Sequence, residues 1–127
     1  MARRPFRVLL IPVTGPVEEL SIGTGGDHYQ LLQLQQLVGG WIEAVGIPEF
    51  VTDSERATAY INEEGKLEQL PFNGRATDLL VPGVGLFFGD YIAGPMVVCG
   101  MDIARGENAD IPPGVEARIR LIESEAG

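Results

Sequence analysis

A chain of 127 residues with 45% apolar content can form one domain with its own core, and is too apolar to be disordered. Nine basic against eighteen acidic residues give a net charge of −9. That balance opposes the Lys/Arg–phosphate contacts that hold free nucleic acid, and is compatible with a basic protein surface as partner. The single cysteine, Cys99, excludes an internal disulfide and a thiolate metal cluster and fits a reducing, cytoplasmic setting.

The N-terminal arginines Arg3, Arg4 and Arg7 read as a solvated basic end, and the apolar run Val8–Ile11 stops at Pro12. That run is too short for a signal peptide or a membrane span and reads as a first buried strand, Phe6 to Val13. Thr14-Gly15-Pro16 turns the chain, so Val17–Ile22 is expected to pair back as a hairpin. Gly23–Gly26 resembles a phosphate loop only in its glycines. It lacks the Lys-Ser/Thr pair and reads as a turn, with Asp27 as the expected cap of the next helix. Across Asp27–Val38 the apolar face is Leu31, Leu34 and Val38, and Gly39-Gly40 ends the helix because glycine tolerates the left-handed conformation there. His28 reads as a surface residue, with no nucleophile or acid nearby to make a triad.

Trp41–Ile47 reads as a strand half-buried on both faces, with Trp41 in the core, and Phe50-Val51 as an extension of the sheet. A hairpin then pairs Ala57–Ile61 with Lys66–Leu70. Glu63-Glu64 at its tip, like Glu18-Glu19, reads as solvated surface rather than a cation site. Arg75–Val81 reads as a short helix capped by Asn73. Leu86–Phe88 and Ile92–Cys99 read as strands, with Cys99 a small core hydrophobe, and Met101–Gly114 as a polar loop. A final helix, Val115–Ser124, carries Val115, Ile119 and Ile122 on one face, suited to packing across the sheet or against a second copy.

Three segments occur in a recognisable order: Leu37-Val-Gly-Gly-Trp-Ile-Glu-Ala-Val45; Tyr60-Ile-Asn-Glu-Glu-Gly-Lys-Leu67 followed by Leu70-Pro71 and Asn73; and Asp90-Tyr-Ile-Ala-Gly94. In these the chain resembles a family of small uncharacterised domains, a domain of unknown function common in actinobacteria, their phages, and plasmids or conjugative elements of Gram-positive bacteria. The resemblance covers residues 6–100 and leaves out the 101–127 segment. Trp41 stands where the family pattern has a Tyr-type aromatic. The resemblance implies a setting, that of accessory proteins of mobile elements that counter host defence or modulate host enzymes, and carries no assigned activity.

The expected fold is α+β: a small curled sheet, mixed or antiparallel, with the first helix on one face and a C-terminal helix, in an order compatible with a β-grasp-like plan. Residues 1–100 form the body and 101–127 an extension of the same domain. The expected function is binding rather than catalysis, with no metal or cofactor: sequestration of a small anionic or nucleotide-like ligand, or inhibition of a host defence protein. The candidate site joins Gly39, Gly40 and Glu43 to Asn62, Glu64, Lys66, Asn73 and Arg75. Glycines there allow close backbone approach, Asn and Glu read hydrogen-bond donors and acceptors, and Lys66 and Arg75 neutralise charge. Three alternatives stand beside it: an acidic mimic of nucleic acid that inhibits a DNA-binding host enzyme, an oligomeric structural module joined through the last helix, and a small enzyme with Glu43 or Glu64 as general base.

Overall fold

The computed structural model describes residues 5–23, 26–47, 56–80 and 90–126. Strands β1 (Phe6–Ile11) and β2 (Glu18–Ile22) precede helix α1 (Asp27–Val38), followed by β3 (Ile42–Gly46) and β4 (Ala57–Asn62). Helix α2 (Gly74–Leu80), strands β5 (Met96–Asp102) and β6 (Glu107–Ala109), and helix α3 (Pro113–Ala126) complete the described chain. The strands form one open six-stranded sheet in the order β2-β1-β5-β4-β3, with every pairing antiparallel. Gly100 of β5 pairs with Ala57 of β4 and with Ala109 of β6, so β6 continues the sheet on the side that β1 occupies further along.

Alternation along the strands explains why the apolar runs are nearly continuous. Phe6, Val8 and Leu10 of β1, with Val97 and Cys99 of β5, pack under Leu34 and Val38 of α1. Leu9, Ile11, Met96 and Val98 point to the opposite face, where α2 and α3 bury Leu79, Leu80, Val115, Ile119 and Ile122. Strands covered on both faces lose the polar half of the usual alternation. Each such fully buried Val, Leu or Ile contributes roughly 1.5–3 kcal/mol.

The hairpin β1–β2, helix α1, the Asn73-capped α2 and α3 stand as the sequence implies, and α3 spends its apolar face within its own chain. Several local expectations are corrected. Gly26 occupies the cap position of α1 without any side-chain cap bond, and Asp27 is the first helical residue. Leu31 is 40% exposed, because Leu34 and Val38, spaced four apart, already fill the sheet-facing stripe. β3 is the outermost strand of the path, so in it only Val45 is buried and Trp41 before it is 68% exposed rather than in the core. Lys66–Leu70 is not a return strand. Both edges of β4 are taken by β3 and β5, and residues 63–70 wind instead through turns closed by Glu68 N–H to the Glu64 carbonyl and Leu70 N–H to the Gly65 carbonyl. The polar stretch after Met101 is not a loop throughout: it contains the end of β5 and all of β6. The expected strand segments Phe50-Val51 and Leu86–Phe88, and Arg3 and Arg4, lie outside the described residues.

Candidate binding surface

The three segments that carry the sequence resemblance meet at one end of the sheet. β3 begins there, β4 ends there, and the chain enters β5 there. Asn62, 4% exposed, is the first joint: its Nδ2 donates to the Val38 carbonyl (3.3 Å) and its Oδ1 accepts the Glu64 N–H (2.8 Å). Glu63 N–H reaches the Trp41 carbonyl at 2.8 Å. Gly39 is left-handed (φ 82°) and ends α1 by donating its N–H to the Gln35 carbonyl, and Gly40 lies against the Asn62 amide.

Asn73, wholly buried, is the second joint. Its Nδ2 donates to the carbonyls of Ile11 (3.0 Å) and Gly94 (2.9 Å), and its Oδ1 caps α2 by accepting the Ala76 N–H (3.0 Å). Gly94 N–H bonds back to the Pro71 carbonyl, and Asn73 N–H to that of Ile92. These bonds fix what the surface presents. Lys66 is paired with Asp90 and stands over the Tyr91 ring (4.8 Å to its centroid), and Tyr91 meets Phe72 edge to face at 5.9 Å. The hydrogen bond from Lys66, followed by that of the Tyr91 N–H, holds the Asp90 carboxyl below its ordinary range.

The structure thus gathers Gly39, Gly40, Asn62, Glu64 and Lys66 around this end of the sheet, with Glu43 exposed on the adjoining edge strand, opposite Ile61. Asn73 lies beneath the surface. Arg75 faces elsewhere: it donates to the Pro12 carbonyl (2.7 Å) and lines a cleft of about 600 Å³ with the β1–β2 turn, Asp78 and Glu123. Among the described residues, no cluster of three or more His, Cys, Asp or Glu is placed to hold a metal ion, and no helix is long and apolar enough to cross a membrane.

The sequence profile of a domain of unknown function, DUF3846, matches residues 6–122. The chain belongs to this family. No curated protein and no solved structure matches it. The match extends past residue 100, so the family takes in β6 and most of α3, which the sequence resemblance left outside.

At this end the DUF3846 chain exposes the large apolar side chains Trp41, Leu67 (84%), Phe72 (59%) and Tyr91 beside the charged Glu63, Glu64 and Glu68. Phe72 and Tyr91 have no place among the sequence-derived site residues, although each follows a chain-turning residue, Pro71 or Asp90, in a segment rich in such residues. A second feature lies on the α1 face. There a cleft of about 270 Å³ opens between α1, the floor residues Ile42, Tyr60 and Met101, and the β5–β6 turn. Tyr60 donates its hydroxyl proton to Asn108 Oδ1 at 2.7 Å, a contact across 48 positions that no local motif announces.

Proposed function

We propose that this DUF3846 protein is an accessory protein of a phage or mobile element that works by binding in the bacterial cytoplasm. It docks the surface formed by Trp41, Leu67, Phe72 and Tyr91 onto a host protein and inhibits it; the resemblance to phage and plasmid domains points to a defence protein as the target class. The observation that carries this reading is the exposure of those side chains on a scaffold locked by buried Asn62 and Asn73. Exposed aromatics held in fixed positions are the residue class that anchors protein–protein contacts.

A small anionic ligand is less well supported at this end. Lys66 is already neutralised by Asp90, Arg75 is turned to the Pro12 carbonyl, and Glu43, Glu63 and Glu64 stand exposed nearby. Mimicry of nucleic acid is weakened as well, because Glu19 and Glu116 are paired with Arg7 and Glu123 with Arg120.

The test is affinity capture from a bacterial lysate with the full chain and with Trp41→Ala/Phe72→Ala/Tyr91→Ala, both checked for equal thermal stability. The wild type is expected to retain a stoichiometric partner that the triple variant loses. Equal retention by both proteins places the contact elsewhere. Self-association lost in the triple variant, read by light scattering, would favour a structural module.

A further inference from the structure

We propose that the cleft between α1 and the β5–β6 turn is a binding site for a neutral planar heterocycle bearing a cyclic amide or amidine edge, the class of nucleobases and their nucleosides. This site is separate from the Trp41 surface and does not depend on it.

Size is the first restriction. At about 270 Å³ the cleft falls just under the roughly 300–1,000 Å³ typical of small-molecule sites, which suits a one- or two-ring ligand. Shape and polarity are the second. Leu31 and Leu34 contribute apolar surface from the helix side, and Ile42 and Met101 from the sheet side, the kind of lining that takes the faces of a ring. Leu31 and Met101 are 40% and 38% exposed, and a bound ring would cover them.

Hydrogen bonding supplies the specificity. Asn108 gives its carbonyl oxygen to Tyr60, which turns the carboxamide so that its NH₂ group is the end left to donate. Tyr60 gives its proton to Asn108, so its oxygen lone pairs are left to accept. Burial raises the Tyr60 phenol above its ordinary range and keeps it a neutral hydroxyl. The cleft therefore offers a donor and an acceptor side by side, the complement of the adjacent acceptor and donor on a cyclic amide or amidine.

Charge sets the last limit. The chain carries −9 overall. A phosphate there meets repulsion, which separates a nucleoside from its nucleotide.

The experiment is an amide ¹H–¹⁵N titration of the full chain with each of the four ribonucleosides, their 5′-monophosphates, and ribose and benzyl alcohol as probes without the edge. At least one nucleoside is expected to shift the resonances of Tyr60, Met101 and Asn108 saturably, with its monophosphate binding no more tightly. Tyr60→Phe is expected to weaken that binding about tenfold, the worth of one hydrogen bond of roughly 1.4 kcal/mol. Met101→Glu, at a partly exposed position, replaces an apolar part of the cleft floor with a charge without touching the core and is expected to abolish binding even if Tyr60→Phe fails to fold. Four results would overturn the proposal: no saturable shift at millimolar nucleoside, shifts confined to other regions, equal response to benzyl alcohol, or a monophosphate that binds better than its nucleoside.

Discussion

A Cβ added to Gly40 would lie 2.9 Å from Asn62 Nδ2, closer than a side chain can sit without displacing that amide. The amide is committed, since it ties the Val38 carbonyl to the Glu64 N–H across the start of β3. Gly40→Ala is therefore expected to cost about 1–2 kcal/mol by prising Asn62 from its partners. In an Asn62→Ala background the same substitution should cost close to nothing. A double-mutant cycle by urea denaturation checks this, and additive penalties would refute the coupling.

Asn73 is expected to be the most sensitive polar position among the described residues. Asn73→Ala removes the α2 cap and leaves the Ile11 and Gly94 carbonyls without their buried donor, a loss of about 2–4 kcal/mol. Asn73→Asp keeps the capping oxygen but replaces the donor with a charge facing two carbonyls, so it should not rescue stability. Wild-type stability in Asn73→Asp would mean that the cap alone matters.

Acid should destabilise the fold through a few identifiable carboxylates. The Val17 N–H, assisted by Arg120, holds the Glu123 carboxyl below its ordinary range, and Arg7 does the same for Glu19. A carboxyl whose pKa is lower folded than unfolded adds stability above its unfolded value and loses it as the pH falls through the folded one. The melting temperature should thus drop from roughly pH 5 to pH 3. Glu123→Gln should start lower and fall less over that window. Identical slopes for the two proteins would exclude Glu123 as a contributor. The Arg7–Glu19 share should shrink with added salt, since both side chains are about half exposed.

Cys99 should be chemically silent in the native protein. It is fully buried on the α1 face of β5, and burial pushes its thiol up to about 12. Iodoacetamide at neutral pH is expected to label it only at the rate of global unfolding, measured by mass spectrometry with and without denaturant. Rapid native labelling would show that β5 opens locally.

How much of this was legible beforehand varies with the range of the cause. Helix α1 and its glycine stop, the β1–β2 hairpin, the Asn73 cap and the buried stripe of α3 all follow from residues within a few positions of one another, so local spacing sufficed. The candidate site also joined the glycine pair to Asn62 and Glu64, but the β3–β4 pairing that brings them together was not read from the sequence, which paired Ala57–Ile61 with Lys66–Leu70 instead. Where spacing misled, a distant strand was the reason. β4 accepts β5 as its second neighbour, which leaves Lys66–Leu70 to wind into turns, and β3 becomes an outer strand that leaves Trp41 in solvent.

The chain's composition and order of residues determined an acidic α+β domain, its family, and the helices and turns whose bonds close locally. Only the tertiary structure decided which side chains face water and which meet across the sheet: Lys66 with Asp90 and Tyr91, Phe72 with Tyr91, Tyr60 with Asn108. Those contacts depend on strand order, and strand order is set by burying both faces of β5 at once, an energy that belongs to the whole sheet and to no single segment.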